Sequence, residues 1–187
     1  FLFNTLNSAI ALVRAEPAKA EALLEDLSDL FRHALIDQGE SVTLADEVAL
    51  ARRYLDIEQV RFGDRLRVQW ALDPKAQGAL LPPLLLQPLV ENAIKHGLEP
   101  KAEGGTLAVT AEIVHGDLVV SVADTGLGFG KAATAGTGLG LANIRERLQL
   151  LYGERARVEV AENPGGGTRV SITVPYRSKS RHAETPS

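Results

Sequence analysis

The 187-residue sequence contains no cysteine and no methionine. Without cysteine there is no disulfide framework, no thiolate metal site and no thiol nucleophile, a pattern that fits a cytoplasmic protein. Methionine is missing even at position 1, so the chain reads as a piece of a longer protein cut at Phe1. Long apolar runs are missing too. The longest, around Leu84 to Val90, is broken by Gln87 and Pro88 and falls far short of the roughly 20 residues that cross a bilayer. No signal peptide is visible. There is no basic block to collect a phosphodiester backbone, and the net charge is −4, which argues against nucleic-acid binding.

What is present has the balance of a soluble globular protein, with 45% hydrophobic and 24% charged residues. The length suits one ordinary domain plus a smaller element, or two small domains. Residues 1–63 read as helices. Leu2, Leu6, Ile10 and Val13 recur at helical spacing, and Leu23 to Leu35 carries a wide apolar stripe closed by Gly39. Thr43 opens a Thr-Leu-Ala-Asp capping pattern, after which Leu44, Val48, Ala51, Leu55 and Phe62 share one face. Near Gly63 the period changes from helical to two. Leu66, Val68 and Trp70 alternate with polar neighbours and predict a strand.

Pro82 or Pro83 can open a helix at its first turn, whereas Pro88 predicts either a kink or a helix beginning only there. Two strands follow, Thr106–Val114 and Leu118–Ala123, joined by a turn at His115-Gly116-Asp117. Residues 126–140 hold six glycines and predict a mobile loop. A helix over Leu139–Tyr152 ends at Gly153. Strands at Val158–Val160 and Thr168–Val174 flank a Pro164-Gly165-Gly166-Gly167 turn. The tail from Arg177 is polar, aperiodic and predicted to be disordered. The order, a helical hairpin and then β-α-β-β-α-β-β, predicts an α+β protein with helices on one face of its sheet.

Three segments carry chemistry. In Glu91-Asn92-Ala93-Ile94-Lys95-His96-Gly97, α-helical spacing puts Asn92, Lys95 and His96 on one face, with Leu89, Val90, Ala93 and Ile94 buried behind. An amide oxygen suits a hard cation such as Mg²⁺, which takes few protein ligands alongside phosphate and water, and Lys95 suits phosphate as a point charge. An ordinary amphipathic helix is the competing reading. In Asp124-Thr125-Gly126-Leu127-Gly128, a carboxylate at a strand end can accept a hydrogen bond from a purine amine, though a plain turn explains the same residues. In Gly136-Thr137-Gly138-Leu139-Gly140, glycines lead into a helix whose free N–H groups attract phosphate; a linker is the alternative.

Two nucleotide signatures fail. A dinucleotide fingerprint starting at Gly136 meets Leu141 where it needs glycine, and starting at Gly138 it meets Asn143. A P-loop ending at Gly130-Lys131 would need glycine at Thr125, and Ala132 replaces its hydroxyl residue.

The surviving pattern is an Asn helix, D-x-G-x-G, G-x-G-x-G before a helix, and Gly166-Gly167-Thr168 opening a strand. Taken together these segments resemble, in order, the N, G1, G2 and G3 elements of the Bergerat-fold ATPases. Phe1-Leu2-Phe3-Asn4, Tyr54-Leu55-Asp56-Ile57-Glu58-x-x-Arg61-Phe62 and Asn143-Ile144-Arg145-Glu146-Arg147-Leu148 resemble marks of the LytS/YehU-type sensor histidine kinases. The resemblance spans residues 1 to about 175. It implies a helical dimerisation and phosphotransfer region over 1–63 and an ATP-binding domain over 64–176, an α/β sandwich with a mixed sheet covered on one face by helices.

The resemblance further implies ATP-dependent phosphorylation of a histidine immediately before Phe1, outside this sequence, and transfer to a response-regulator aspartate. Within the site it implies that Asn92 holds Mg²⁺, Asp124 reads the adenine amine, Lys95 contacts phosphate and His96 packs near adenine or ribose. Gly126, Gly128, Gly136, Gly138, Leu139 and Gly140 would form the phosphate-covering loops, and Thr168 would support Asp124 through a hydroxyl or a water. Glu91 acts as a base or orients a metal-bound water, or else pairs with Lys95. Asn4, one turn from the missing histidine, positions a water for dephosphorylation, or is a surface amide. His33 lies in Leu30-Phe31-Arg32-His33-Ala34, outside the phosphoacceptor motif.

A homodimer, a response regulator and a membrane-bound parent with an upstream sensor are implied by the same likeness. The rival readings are an ATPase or anti-sigma-type serine kinase of the same fold, against which residues 1–63 argue, and a non-catalytic interaction module, against which the intact Asn92, Asp124 and glycines argue.

Overall fold

The computed structural model describes residues 2–37, 41–128 and 137–178, with the side chains of 2–5, 29–37 and 137–139 set aside. The helical prediction for the first segment holds as two helices, α1 (Leu2–Ala15) and α2 (Pro17–Asp37). They pack on each other, burying Ala9, Ala20 and Leu27, while Ile10 and Val13 stay exposed. The second helix begins at a proline, whose missing N–H costs nothing in a first turn.

A third helix, α3 (Leu44–Phe62), starts where the capping pattern predicts. Thr43 accepts from the Asp46 N–H at 3.2 Å, and Asp46 accepts in return from the Thr43 N–H at 3.1 Å. The short strands β1 (Val42–Thr43) and β3 (Leu80–Leu81) pair antiparallel beside this start, a contact too brief to leave a periodic signature. The chain divides by packing into compact units at Ser41/Val42, a division that does not test the functional boundary expected at residue 63. The physical reason is the face of α3. Leu44, Val48, Ala51, Leu55 and Phe62 are buried in the same core as the sheet, so α3 belongs to the second unit.

That unit is built on five strands in the order β2–β4–β5–β7–β6. They are β2 (Leu66–Leu72), β4 (Gly105–Val114), β5 (Asp117–Asp124), β6 (Arg157–Glu162) and β7 (Thr168–Pro175). Only β2 and β4 run parallel; the other pairs are antiparallel, so the sheet is mixed. The β4–β5 hairpin turns through His115 and Gly116, both at positive φ, the requirement of a tight two-residue hairpin. Leu107, Val109 and Ala111 of β4, Leu118, Val120 and Val122 of β5, and Ile172 and Val174 of β7 point into the core. Helices α3, α4 (Leu86–Asn92) and α5 (Thr137–Tyr152) cover that face. The opposite face carries Thr110 and Glu112, and a Ser121–Ser171 hydroxyl pair at 2.7 Å. Two-period alternation has one dry and one polar face as its natural outcome.

The segment around Pro88 differs from expectation. Pro82 and Pro83 do not open the helix; α4 begins at Leu86, so Pro88 lies in its first turn, where no intrahelical bond is lost. The irregularity lies further on, where α4 runs into a π-turn over Ala93–Leu98, closed by the Glu99 N–H on the Ile94 carbonyl at 2.8 Å. The start of α4 has an unforeseen cap. The Glu47 carboxylate of α3 accepts the N–H groups of Leu84, Leu85 and Leu86 at 2.6, 3.1 and 3.0 Å.

Glu47 is 3% exposed. Burial raises its pKa, against the three N–H groups and the charge of Arg147 on α5, which lower it. Replacing Glu47 by alanine would strip three buried donors of their acceptor. We expect Glu47→Ala to lower unfolding free energy by about 2–4 kcal/mol, read from the urea midpoint. A loss under roughly 0.5 kcal/mol would show the cap to be dispensable.

Candidate functional site

The parity of β5 places the central residue. Leu118, Val120 and Val122 face the helices, so Asp124, two positions on, faces them as well and is 4% exposed. A carboxylate taken from water needs partners, and here the backbone supplies them. Oδ1 accepts the N–H of Gly126 at 2.9 Å and that of Thr168 at 3.4 Å. Burial raises the Asp124 pKa, opposed by these two N–H groups and by the charge of Lys101. Thr168 thus also contacts Asp124 through its backbone N–H. Lys101 also donates to the Thr125 carbonyl at 2.8 Å, and the Thr125 hydroxyl accepts the Thr106 N–H at 2.9 Å, tying down the turn after β5.

Glycine is required around this carboxylate because its oxygens fill the space a side chain would take. A Cβ on Gly97 would lie 2.6 Å from Asp124 Oδ1, and one on Gly126 would lie 2.0 Å from the Gly97 carbonyl oxygen. The Leu127 N–H donates to that carbonyl at 3.1 Å, so the turn after β5 is laid directly on the π-turn.

Asn92 ends α4. Beyond it, over the π-turn, Lys95 is exposed, His96 is half-buried and Gly97 is buried. Burial lowers the His96 pKa, with the Lys95 charge adding and Glu99 opposing, so the imidazole is neutral above the ordinary histidine range. Asn92 Nδ2 is buried without a hydrogen-bond partner among the described residues, and a Cβ on Gly140, in the first turns of α5, would stand 3.6 Å from it. The Asn helix, the turn after β5 and the start of α5 therefore meet: Asp124 against Gly97, and Gly140 against Asn92.

Glu91 accepts from Gln87 Nε2 at 3.1 Å. On α3, Tyr54 is half-buried with Glu58 and Glu91 nearby, and burial followed by those carboxylates holds its phenol protonated. Arg61 binds Glu58 at 2.7 Å and Glu99 at 3.0 Å, joining α3 to the end of the π-turn. Gly128 lies in the turn after β5, and Gly138 and Leu139 lie in the first turn of α5. Gly136 falls outside the described residues, as does most of the expected mobile loop. Asn4 lies in α1, in the other compact unit, and its side chain is outside the described set. Sequence reasoning missed Glu47, Gly97, Lys101 and Asn163, whose amide Nδ2 donates to the Asp124 carbonyl at 3.0 Å. Only Gly97, adjoining His96, carried a readable signal.

The fold is that of histidine kinase catalytic regions. A structure of the Acinetobacter baumannii histidine kinase AdeS superposes with a TM-score of 0.58 at 17% identity, covering 94% of this chain and 95% of that one. Full-length ShkA in complex with AMPPNP matches with a TM-score of 0.58 at 23% identity, over 93% of this chain and 42% of that one. The chain belongs to the histidine kinase-, DNA gyrase B-, and HSP90-like ATPase family, whose model matches residues 81–178, with a histidine kinase model matching residues 1–66. Its relatives include the sensor histidine kinase BtsS of Escherichia coli, 36% identical over 96% of this chain, and the sensor protein LytS of Staphylococcus saprophyticus, 36% identical over 95%. The sensor histidine kinase YesM of Bacillus subtilis is likewise 36% identical, over 96%. The chain spans 32% of the length of each of these relatives.

Because burial raises the Asp124 pKa above its unfolded value, its contribution to stability is fully present below the unfolded pKa and is lost as pH rises through the folded one. The charged form of Asp124 is thus the form the fold disfavours. We expect Asp124→Asn to melt no lower than wild type at neutral pH, with the balance moving toward wild type as pH falls. Melting curves at several pH values check this; a variant less stable at neutral pH than at acid pH, relative to wild type, would contradict it.

Proposed function

We propose that this chain is the phosphotransfer and ATP-binding region of a two-component sensor histidine kinase. It would use ATP to phosphorylate a histidine just upstream of Phe1 and deliver the phosphoryl group to an aspartate of a response regulator. The observation that carries the proposal is the meeting of three segments at one site. Asp124 abuts Gly97, one π-turn from Asn92, and the Asn92 amide abuts the start of α5.

The residues fit a purine triphosphate. Asp124 Oδ1 is taken by two N–H groups and Oδ2 has no partner among the described residues, so an acceptor is turned toward an exocyclic amine. At the other end, the orphan Nδ2 of Asn92 is a buried donor, a costly group unless a ligand supplies an acceptor such as phosphate oxygen. Since an amide can present either atom, the same side chain suits a phosphate-bound cation through its oxygen. Among the described residues no group of three or more His, Cys, Asp or Glu could hold a metal. This accords with Mg²⁺ held mainly by phosphate and water, with Asn92 as its one protein ligand. When bound, the ion would neutralise triphosphate charge.

The chain's own residues do the rest. The first turn of α5 offers N–H groups to phosphate, Lys95 adds a positive charge nearby, and neutral His96 packs without repelling the base's amine. Glu91, which accepts from Gln87 and adjoins Asn92, would act as a base or orient a metal-bound water, or else only pair with Lys95 four residues on. Transfer of this kind needs mainly position and charge.

Exposed Ile10 and Val13 on α1 support pairing of the helical unit with a second copy. Asn4 would act there on the water that removes phosphate. No described helix is long and apolar enough to cross a membrane. By its likeness to the sensor kinases the chain would be the cytoplasmic kinase end of a longer bacterial inner-membrane parent.

Calorimetric titration with Mg²⁺-ATP tests the binding step. Wild type should bind with Asp124→Ala at least about tenfold weaker, a loss of roughly 1.4 kcal/mol. A chain extended to include the upstream histidine should incorporate label from γ-labelled ATP. Equal, negligible heats from wild type and variant would replace the kinase reading with a non-catalytic interaction module.

A further inference from the structure

The β6–β7 turn, like the π-turn, packs against Asp124. It is closed on itself by the Asn163 N–H on the Gly167 carbonyl at 3.1 Å and by the Gly166 N–H on the Asn163 carbonyl at 2.9 Å. Gly165, Gly166 and Gly167 all take positive φ, the conformation that lets the turn fold back this tightly. The turn lies directly on Asp124: a Cβ on Gly167 would stand 1.9 Å from the Asp124 carbonyl oxygen and 2.8 Å from Oδ1. From this turn Asn163 Nδ2 donates to the Asp124 carbonyl at 3.0 Å, and Thr168 donates its backbone N–H to Asp124 Oδ1 at 3.4 Å. Asp124 is thus gripped twice by one turn, through its backbone and through its carboxylate.

Asp124 is also the last residue of β5. It pairs with Leu107 of β4, but on the β7 side the ladder stops at the Ala123–Arg169 pair. On that side Asn163 takes the place of the next ladder partner, a job no strand residue performs.

We propose that Asn163 is a positioning residue for purine selection. By fixing the Asp124 backbone it sets where the carboxylate meets the base, and so favours adenine, which offers an amine there, over guanine, which offers a carbonyl oxygen. The inference rests on Asp124 being the base-reading acceptor. Specificity of this kind comes from a correctly aimed acceptor that rewards one partner and repels the other. A carboxylate free to swing loses reward and repulsion together.

The experiment titrates Mg²⁺-ATP and Mg²⁺-GTP separately into the whole chain, as wild type, Asn163→Ala, Asn163→Asp and Asp124→Asn, with a melting curve for each. Asn163→Asp keeps size and shape but removes the donor, which separates the hydrogen bond from packing and provides a second variant should the alanine form fail to fold. Loss of one such bond should weaken ATP roughly three- to tenfold in both Asn163 variants and leave GTP unchanged or tighter, so the ATP/GTP preference shrinks. A purely structural role would lower the melting temperature and leave that preference at its wild-type value, and this result overturns the proposal. If Asp124→Asn collapses the preference while both Asn163 variants keep it, only the role of Asn163 falls. If Asp124→Asn also keeps it, the reading of Asp124 falls and the proposal falls with it.

Discussion

A single buried carboxylate organises this molecule. Asp124 ends an inward-facing row of apolar side chains, and the strand's two-residue period carries it into the core as surely as it carries Val122. An ionised oxygen there must be offset locally, and the backbone does so with N–H groups from two different segments. The same crowding forbids side chains on Gly97 and Gly167, each of which would put a Cβ within 3 Å of that carboxylate. Glycines far apart in sequence are therefore explained by one anion, and the helix end, the turn after β5 and the β6–β7 turn are held together through it.

A second buried carboxylate, Glu47, does for the helix layer what Asp124 does for the sheet edge. It reaches from α3 to satisfy the first N–H groups of α4, groups that any helix leaves unpaired. Leu84 takes positive φ just before that start, a conformation that favours glycine and is held here by the bond from its N–H to Glu47. The consequence reaches the site: with its first turn pinned to α3, the other end of α4 presents Glu91 and Asn92 from a fixed axis. The π-turn follows there, without proline or insertion to announce it.

Much of this could be read in the chain because it depends on local period. The alternation of Leu107, Val109 and Ala111 gave β4, Thr43 and Asp46 gave the start of α3, and His115-Gly116 gave a hairpin turn. The family pattern over Asn92, Asp124 and the glycines identified the candidate site. What could not be read depends on contacts between distant residues. Nothing in Thr-Leu-Ala-Asp-Glu distinguishes the buried Glu47 from an exposed helix acid. The apolar face of α3 is legible, but not that it joins the core of the sheet and so packs in the unit that begins at Val42. The face shared by Asn92, Lys95 and His96 was drawn on α-helical spacing, and the π-turn over Ala93–Leu98 had no local signal.

The two ends of the candidate site are unsatisfied in opposite senses. Asp124 has an acceptor to spare, and its pKa is raised; Asn92 has a buried donor to spare. A ligand that relieves both must offer a donor at one end and an acceptor at the other, separated by the length of the π-turn. Under the proposed reading this orients the nucleotide without any appeal to affinity. The base, with its amine, lies toward β5 and the β6–β7 turn, and the phosphates lie toward Asn92 and the start of α5, where helix N–H groups face outward. Reversed, the phosphates would meet the Asp124 carboxylate, which repels them, whereas the Asn92 amide can present either atom. The direction in which the nucleotide lies therefore follows from the Asp124 carboxylate.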